Sequence, residues 1–425
     1  MRIEALYELY KKSYKVVKDT REDVNNSIYF SLKGESFDGN KYALQALNKG
    51  ANYAIIDEKE YLLDDRTILV DDALKCLQEL ARYHRQQLNI PILALTGSNG
   101  KTTTKELINA VLQKKYNCYS TKGNLNNHIG VPLTLLSMTP EHNFGVVEMG
   151  ANHLNEIKTL CNIALPDYGY ITNFGRVHLE GFGSFEGVIK GKTEMYRHLK
   201  TRQKHVFVNI TDDRQMEYSK GMKRISFGSD DAKYHARFIK ADPFVTIDFD
   251  GLRIKSNLIG AYNYSNISAA LSMGQYFEIE TVELKEAIES FVPTDNRSQI
   301  IEKSTNKIIL DAYNANPNSM DAAVNNLAGL SDKNKIAILG DMFEIGDDAI
   351  LEHQIIADLL AKADIDSAFL IGDSFYKTNI NDKKIQKFQN YETFKKHFEG
   401  LTFQHSTLLI KASRGMALER VLEMI

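Results

Sequence analysis

A lysine and a threonine, Lys101 and Thr102, follow the glycine-containing residues 96–100. The apolar residues 91–95 predict a short buried strand before them, and the apolar spacing in residues 107–112 predicts a helix after them. In such a setting glycines let the backbone approach a polyphosphate, and the helix N-terminus offers unpaired N–H groups. The lysine adds a positive charge, and the threonine hydroxyl can bind Mg²⁺. The stretch therefore predicts a phosphate loop that binds a nucleotide.

The spacing of this loop differs from the usual phosphate-loop pattern. The position five residues before Gly100 is Leu95, and the first glycine is Gly97, so the loop is two residues shorter. The alternative interpretation is that Gly100, Lys101 and Thr102 only cap a helix. Because strand, glycines, Lys-Thr and helix follow one another in the required order, nucleotide binding is favoured.

Two further side chains follow predicted strands and have metal-binding chemistry. Glu148 ends the apolar run 144–147. Its carboxylate can hold Mg²⁺ directly or through water if this strand neighbours the strand before the phosphate loop. His178 lies in a glycine-flanked loop after the apolar run 168–172. Taken alone, a carboxylate at a strand end and a histidine in a loop are usually only exposed to solvent.

Lys192 falls on the apolar side of a predicted helix. In residues 185–199, Val188, Met195 and Leu199 lie on one helical stripe, and Lys192 follows Val188 by four residues on that stripe. One interpretation is that the lysine stem runs along the apolar surface and keeps its amine in water. The other is that burial lowers the pKa from about 10.4 and exposes a neutral amine that reacts with carbon dioxide. The resulting carbamate would be a metal-binding anion.

The pattern around these residues predicts an α/β scaffold. Residues 84–293 alternate strands with helices, which is typical of a parallel sheet covered by helices. The expected strands lie near 90–95, 144–148, 168–172 and 205–209. In such sheets ligands gather beyond the carboxyl ends of the strands. Residues 245–256 alternate around Asp250 and Gly251, which favours an antiparallel hairpin added to the sheet.

Two further α/β units flank this sheet. Residues 1–83 predict a small unit with strands at 28–32 and 53–56, a helix at 42–47, and ligand loops at 19–21 and 33–39, which in isolation are usually solvated turns. Residues 294–425 predict a second alternation with strands at 307–310, 336–339, 368–371 and 407–411. Polar clusters at these strand ends suggest a working surface. Asp341 and Asp373 are equally well explained as helix caps.

Composition limits the class of protein. The 425 residues are 43% hydrophobic and 25% charged, which suits a globular protein of about three domains. A net charge of -3 gives no electrostatic case for nucleic acid. The 3 cysteines are scattered and suggest neither disulfides nor a zinc site, which fits a reducing cytoplasm. No secretory signal and no apolar run of membrane-spanning length is visible, so we expect a cytoplasmic protein without stable membrane insertion.

Together these motifs resemble those of the ATP-dependent Mur ligases of peptidoglycan synthesis, over nearly the whole chain. The shortened phosphate loop is itself typical of that family. Tyr262 stands where the family commonly has histidine, and Ala412 stands where glycine is frequent. The segments that carry the resemblance are 19–21, 34–39, 96–106, 121–134, 148–153, 178, 188–194, 260–266, 296–299, 311–317, 340–344 and 411–416.

The resemblance implies three domains: an N-terminal UDP-substrate-binding α/β domain (1–83), a central parallel-sheet ATP-binding ligase domain with the phosphate loop (84–293), and a C-terminal Rossmann-like α/β domain (294–425). It implies the cofactors ATP and Mg²⁺. Implied ATP-binding residues are Gly97, Ser98, Asn99, Gly100, Lys101, Thr102, Thr103, Asn263, Asn266, Arg297 and Asp311. Implied substrate-binding residues are Thr20, Arg21, Asn124, Asn126, Asn127, Asn314, Asn316, Lys411, Ser413 and Arg414. Implied metal ligands are Thr102, Glu148, His178 and Lys192, with Lys101, Lys192 and His178 in catalytic roles.

The implied reaction adds D-alanyl-D-alanine to UDP-N-acetylmuramoyl-tripeptide through an acyl phosphate. ATP is expected in a cleft between the second and third domains, with residues 293–297 as a hinge that closes it, in a monomer. Alternatives are the ligase that adds the third amino acid or a folylpolyglutamate synthetase, and residues 124–127 and 314–317 argue against both. A nucleotide switch or a non-catalytic nucleotide-binding protein is a different class, and it would not need an inward-facing Lys192.

Overall fold

The computed structural model describes residues 1–229, 231–294 and 296–425. Within these ranges the strands form three larger sheets, of 4, 9 and 6 strands, and one 2-stranded hairpin. Each larger sheet is covered by helices, so the α/β architecture with three domains is confirmed. None of the helices in the described ranges combines the length and apolar character needed to cross a membrane.

The N-terminal sheet is small and entirely parallel. Its elements are α1 (Ile3–Tyr10), β1 (Val16–Val17), β2 (Ile28–Phe30), β3 (Lys33–Gly34), β4 (Phe37–Asp38), α2 (Ala43–Asn48), β5 (Tyr53–Ile56), β6 (Thr67–Leu69) and α3 (Ala73–Gln87). The strand order is β1-β2-β5-β6, and β3 and β4 form the separate hairpin. The expected boundary after residue 83 falls inside α3, which continues to Gln87.

The helix α3 joins the N-terminal sheet to the next domain through a buried polar cluster. His84 is fully buried, and its Nε2 lies 2.8 Å from the Met138 carbonyl. Tyr10 donates a 2.7 Å hydrogen bond to the Leu136 carbonyl. Burial lowers the pKa of His84 to about 4, so this imidazole is neutral near neutral pH. The first two domains therefore share one continuous core.

The central sheet carries the phosphate loop. Its elements are β7 (Ile92–Thr96), α4 (Lys101–Leu112), β8 (Cys118–Ser120), α5 (Gly130–Leu136), β9 (Phe144–Glu148), α6 (Glu156–Ala164), β10 (Tyr168–Ile171), α7 (Leu179–Phe182), α8 (Phe185–Lys192), α9 (Glu194–Thr201), β11 (His205–Asn209), α10 (Asp213–Tyr218), β12 (Lys223–Gly228), β13 (Tyr234–Ala241), β14 (Phe244–Phe249), β15 (Leu252–Ile259), α11 (Asn263–Tyr276) and α12 (Thr281–Ser290). The order is β15-β14-β13-β12-β11-β10-β7-β9-β8. Strands β7 to β12 are parallel, and the expected hairpin is present as β14 and β15.

The register of this sheet explains why the phosphate loop lies beside Glu148 and beside the segment that follows β10. β7 lies between β9 and β10, with Leu95 opposite Glu148 and Thr96 opposite Ile171. All five residues of β7 are buried, as the apolar run predicted. Because the three strands are parallel and end at the same edge, the segments that follow them share one rim.

The single helix expected across residues 185–199 is wrong. The structure has two helices, α8 and α9, that meet at Thr193. Thr193 Oγ1 donates to the Ile189 carbonyl at 2.8 Å and to the Lys190 carbonyl at 3.2 Å, a local bond that competes with helical backbone geometry. The expected inward direction of Lys192 is nevertheless confirmed, because its side chain is buried with those of Val188, Met195 and Leu199.

The C-terminal sheet is a second parallel α/β unit with one antiparallel edge strand. Its elements are β16 (Gln299–Lys303), β17 (Asn306–Asp311), α13 (Pro317–Gly329), β18 (Lys335–Gly340), α14 (Ala349–Lys362), β19 (Ser367–Ile371), α15 (Asp373–Tyr376), β20 (Ile385–Phe388), α16 (Tyr391–Phe398) and β21 (Thr407–Lys411). The order is β16-β17-β21-β18-β19-β20, and only β16 runs antiparallel to its neighbour. Within the expected hinge 293–297, residue 295 lies outside the described residues.

Candidate active site

The phosphate loop turns sharply between β7 and α4 at two glycines. Gly97 has φ 148°, and a Cβ atom there would lie 2.0 Å from Thr172 Oγ1. Gly100 has φ 75° and precedes the first residue of α4, and a Cβ there would lie 2.7 Å from Asn266 Oδ1. Both positions therefore require glycine for conformation and for space. The loop ends at a helix N-terminus, where first-turn N–H groups lack partners within the helix.

Lys101 lies at the start of α4 and folds back over the loop. Its Nζ donates to the carbonyls of Gly97, at 2.9 Å, and Ser98, at 3.1 Å. Burial lowers the pKa of Lys101, Glu148 opposes that shift, and Arg297 adds to it. The side-chain nitrogen is thus held against the backbone of the loop.

Glu148 is fully buried at the end of β9, directly beside the loop. Its Oε1 accepts hydrogen bonds from Thr102 Oγ1 at 3.3 Å and from Asn126 Nδ2 at 2.7 Å. Its Oε2 is buried and has no hydrogen-bond partner among the described residues. Since a buried carboxylate oxygen without a partner is costly, this atom marks a place that suits a cation.

His178 and Lys192 approach the same region from the loop after β10 and from the end of α8. His178 adopts φ 49° just before α7, and its Nδ1 lies 2.5 Å from Glu344 Oε2 of the C-terminal domain. Burial lowers the pKa of His178, Glu344 raises it, and the positive charges of Lys101 and Lys192 lower it further. Neutral imidazole is therefore favoured, which leaves one ring nitrogen able to bind a metal.

Lys192 is 1% exposed, and its Nζ donates a 3.1 Å hydrogen bond to the Ala151 carbonyl. Burial lowers the pKa of this amine well below 10.5, and Lys101 lowers it further, against smaller opposing effects of Glu156 and Glu194. The structure thus favours the buried amine over the solvent-directed interpretation. In the three ranges that the structure describes, no three His, Cys, Asp or Glu side chains converge as a metal site.

Hydrogen-bonded side chains connect α4 and α11 with the C-terminal domain. Asn266 accepts from Thr104 Oγ1 at 3.0 Å and donates to Asn263 Oδ1 at 2.8 Å. Tyr262, the residue in place of the usual histidine, has its hydroxyl 2.9 Å from Ser298 Oγ. This contact joins α11 to the start of the C-terminal domain.

The neighbouring strands β17 and β21 of that domain present a charged cluster. Lys411 Nζ lies 2.5 Å from Asp311 Oδ2, and Ser298 N–H donates to Asp311 Oδ1 at 3.0 Å. The Arg297 guanidinium stacks on the Tyr313 ring at 3.6 Å from its centroid, an arrangement that fixes the cation without neutralising it.

One cavity of about 1010 Å³ connects these groups. Its walls come from the central and C-terminal domains. The sequence-predicted residues that line it are Ser98, Asn99, Gly100, Lys101, Thr102, Thr103, Asn124, Asn126, Asn127, Glu148, His178, Asn263, Asn266, Arg297, Asp311, Asn314, Asn316 and Lys411. The predicted residues that do not line it are Thr20, Arg21, Gly97, Lys192, Ser413 and Arg414. Thr20 and Arg21 lie in the N-terminal domain, where Thr20 donates to Gln45 and Arg21 pairs with Asp19.

Other residues that line the cavity were absent from the predicted set, among them Ser298, Tyr313 and Asn318. Ser298 and Tyr313 lie inside motifs that the sequence had indicated, and Asn318 follows Pro317 directly, so proximity to those motifs was the available signal. Asp341, by contrast, is a cap, because it accepts hydrogen bonds from the N–H groups of Ser374 and Phe375 in α15.

The central and C-terminal domains touch directly across the cavity. Arg176 Nη1 lies 2.6 Å from Glu352 Oε1, whose side chain is 4% exposed. Asn316 Nδ2 donates to Asn99 Oδ1 at 2.7 Å. With the contact between His178 and Glu344, these bonds give a cleft whose walls are already joined.

Two family models match most of the chain that forms this site. The Mur ligase middle domain matches residues 95–274, and the domain described as "Mur ligase, glutamate ligase domain" matches residues 296–414. The chain belongs to the Mur ligase family. The two matches contain the phosphate loop, Glu148, His178 and Lys192, and the cluster around Asp311.

The similarity to individual relatives and solved structures covers nearly the whole of this Mur ligase chain. The UDP-N-acetylmuramoyl-tripeptide–D-alanyl-D-alanine ligase of Bacillus subtilis is 32% identical over 422 residues, which cover 96% of this chain and 92% of the relative. MurF from Acinetobacter baumannii has a TM-score of 0.86 at 28% identity, covering 96% of this chain and 92% of that one. MurF ligase from Thermotoga maritima, in complex with ADP, has a TM-score of 0.85 at 26% identity and covers 97% of both chains.

Proposed function

We propose that this Mur ligase adds D-alanyl-D-alanine to UDP-N-acetylmuramoyl-tripeptide in peptidoglycan synthesis. ATP transfers its γ-phosphoryl group to the terminal carboxylate of the tripeptide, which gives ADP and an acyl phosphate. The amine of D-alanyl-D-alanine then attacks the acyl carbon, forms the amide bond and releases phosphate. The observation that carries the proposal is one cavity lined by the phosphate loop, by Asp311 and by residues 313–316, in a chain that matches such ligases over nearly their full length.

ATP is proposed to lie along this cavity. The backbone of residues 97–103 and the Lys101 ammonium suit its phosphates, because oriented N–H groups and one cation complement a polyphosphate. Asn263 and Asn266 at the start of α11 suit the base, while Asp311 suits the ribose and Arg297 the phosphates. Relatives with this role include a chain solved in complex with ADP.

The transfer step brings two anions together. A carboxylate and one phosphate charge 4 Å apart repel by about 4 kcal/mol at an effective dielectric near 20. Thr102 and Glu148 are proposed to hold Mg²⁺ here, and the fit rests on the buried Glu148 Oε2, which no described residue satisfies. Bound Mg²⁺ would neutralise part of this charge. Lys101 stabilises the phosphoryl oxygens from the other side.

His178 and Lys192 are proposed as a second metal site, on the carboxylate side. His178 supplies a neutral ring nitrogen, and Lys192 supplies a desolvated amine that suits reaction with carbon dioxide. A carbamate at Lys192 would provide anionic oxygen atoms, which hard cations prefer. The fit rests on the chemistry of these two donors, since burial lowers the pKa of both and outweighs the opposing effects of Glu344 on His178 and of Glu156 and Glu194 on Lys192.

We propose substrate-binding roles for residues of all three domains. Asn124 and Asn127 are proposed to contact the muramoyl substrate, and Asn126 adds a hydrogen bond that orients Glu148. Thr20 and Arg21 are proposed to contact the UDP end from the N-terminal domain. On the C-terminal side we assign the dipeptide to Asn314, Asn316, Lys411, Ser413 and Arg414. Asn316 acts there through the position of α13, because its amide is already bonded to Asn99 and Ser319.

The domain boundaries at 83/84 and 293/294 and the hinge at 293–297 are retained as proposals. Contacts such as Arg176 to Glu352 support a mechanism in which the C-terminal domain closes on the central one. We further propose a monomer that works in the cytoplasm, where the nucleotide-linked substrate and ATP are both expected.

The test is phosphate release with each reactant omitted in turn. Release is expected only when ATP, UDP-N-acetylmuramoyl-tripeptide and D-alanyl-D-alanine are all present. Equal release without the dipeptide or without the tripeptide would contradict a ligase. Replacing the dipeptide with single amino acids, and the tripeptide with the dipeptide-bearing nucleotide, distinguishes the third-amino-acid-adding alternative.

Lys192→Ala separates a ligase from a nucleotide switch. The ligase proposal expects phosphate release to be lost and partly restored by small carboxylates such as acetate. Lys192→Arg is the matched control, because it places a long cationic side chain at this position but cannot form the carbamate. Ligation by Lys192→Ala at the wild-type rate, without added carboxylate, would refute the carbamate.

A further inference from the structure

Three asparagine side chains connect the phosphate loop to the C-terminal domain. Asn316, at the N-terminus of α13, donates a 2.7 Å hydrogen bond to Asn99 Oδ1 in the phosphate loop. Asn318, in the first turn of the same helix, accepts a 2.8 Å hydrogen bond from the backbone N–H of Arg176. We term Asn99, Asn316 and Asn318 the asparagine bridge.

The central-domain end of the bridge is held by the loop that follows β10. Asn99 N–H donates to Asn173 Oδ1 at 2.9 Å, and the Asn99 carbonyl accepts from Thr172 Oγ1 at 2.6 Å. Ser98 Oγ accepts from Gly175 N–H at 2.8 Å and donates to the Gly175 carbonyl at 3.1 Å. The phosphate loop and the 173–176 loop therefore form one rigid unit, and both parts of it contact the bridge.

The C-terminal end is held by a capping box. Asn316 Oδ1 accepts from Ser319 N–H at 3.0 Å, and Ser319 Oγ accepts from Asn316 N–H at 3.0 Å. These bonds fix the rotamer of Asn316, so that its NH₂ group points at Asn99 rather than at solvent. The same helix N-terminus follows directly on residues 313–315, which line the cavity.

We infer that the asparagine bridge positions the C-terminal domain over the phosphate loop, so that the dipeptide amine meets the acyl phosphate. The inference rests on the proposed function, in which the C-terminal domain holds the dipeptide. Asn316 and Asn318 are positioning residues, since their side chains bond to protein groups of the opposite domain. The position of the attacking amine is thereby coupled to the conformation of the loop that binds ATP.

The kinetic test uses variants that remove one bond and keep the local fold. Asn316→Ser retains a capping oxygen but loses the donor to Asn99, and Asn318→Ala loses the acceptor for Arg176 N–H. Each is expected to lower kcat/KM for D-alanyl-D-alanine about three- to tenfold, the factor that one neutral hydrogen bond supports. Asn318→Asp keeps the acceptor and should restore the wild-type value.

Two comparisons separate positioning from a general loss of structure. Asn325→Ala, on the exposed side of α13, removes a bond within the helix to Asp321 and should leave kcat/KM unchanged. The double variant Asn99→Ala/Asn316→Ser should lose no more than the more impaired single variant, because both changes delete the same bond. Additive losses, or equal losses in Asn318→Ala and Asn318→Asp, would overturn the inference.

X-ray scattering of the ligand-free protein tests the bridge without catalysis. The variant Asn316→Ser/Asn318→Ala is expected to have a larger radius of gyration than wild type, because the C-terminal domain is no longer held on the loop. An unchanged radius would overturn the inference. If wild-type phosphate release proved independent of the dipeptide, the proposed function would fail, while the scattering comparison would still decide whether the bridge holds the domains.

Discussion

Replacing Lys192 with methionine should stabilise the protein while abolishing its ligase activity. Lys192 is 1% exposed, and its amine lies 5.3 Å from the centroid of the Phe182 ring. Burial and the charge of Lys101 lower the pKa of Lys192 well below 10.5. A methionine side chain has similar length and no charge, so it removes the cost of burying the amine. Replacing a buried ion pair with well-packed apolar residues of similar volume is often neutral or stabilising by about 1–4 kcal/mol, and a gain of that order is expected for this single buried amine.

The sign of the pH dependence follows from the two states of the chain. In the folded protein burial lowers the pKa of Lys192 well below 10.5, whereas in the unfolded chain the amine keeps its proton up to about pH 10.4. Between the two pKa values the unfolded state binds more protons, so the free energy of unfolding rises with pH by up to about 1.4 kcal/mol per unit. The free-energy cost of burying the amine is largest below the pKa that Lys192 has in the folded state. It disappears above the pKa that Lys192 has in the unfolded state. Lys192→Met lacks this dependence.

Urea denaturation of wild type and Lys192→Met measures the difference. In buffers free of carbon dioxide, the midpoint of the variant should be higher near about pH 7, and the gap should close towards about pH 10. With labelled bicarbonate, carbon NMR should show a carbamate signal in wild type that the variant lacks. A lower midpoint for Lys192→Met at every pH would refute the cost assigned to the buried amine. Wild-type phosphate release by the variant would refute the carbamate.

Three further changes test other parts of the site. Gly97→Ala should lower the free energy of unfolding by about 1–3 kcal/mol and abolish activity, because its Cβ would lie 2.0 Å from Thr172 Oγ1; thermal denaturation and phosphate release check this. Glu148→Gln keeps the shape but loses the charge, so the Mg²⁺ concentration needed for half-maximal rate should rise about 10- to 100-fold; an unchanged Mg²⁺ dependence would exclude Glu148 as a ligand. Glu352→Gln leaves Arg176 without its ionic partner and should reduce kcat/KM up to about fivefold, with a smaller loss at high salt.

The sequence predicted the strands whose burial comes from continuous apolar runs. β7, β9 and β21 are buried along their whole length, and their bounds match the expected ranges closely. The strands β12 and β13 were not predicted, because charged and exposed residues interrupt them and their pairing in the sheet, not local pattern, makes them strands.

Within the site, residue types were predictable but the contacts between domains were not. Lys101, Glu148 and His178 follow strands of one sheet, and parallel strands bring such positions to one edge. Asn99 and Asn316 are 217 residues apart and belong to different domains. Their hydrogen bond depends on how two domains are oriented, and hydrophobic periodicity within either domain carries no information about that orientation.

The short phosphate loop has a physical consequence beyond identifying the family. A loop with fewer residues has fewer backbone groups to hold its own shape, and here the neighbouring 173–176 loop supplies the missing support. Asn173 and Thr172 anchor the backbone of Asn99, and Gly175 is bonded to Ser98 on both of its polar backbone atoms. His178 lies three residues beyond Gly175 on the same segment. Under the proposed function, a change in the phosphate loop on binding ATP is therefore expected to shift the segment that carries His178 and, through Asn318, the C-terminal domain. We propose on this basis that nucleotide binding and assembly of the acyl-transfer site depend on one hydrogen-bonded unit.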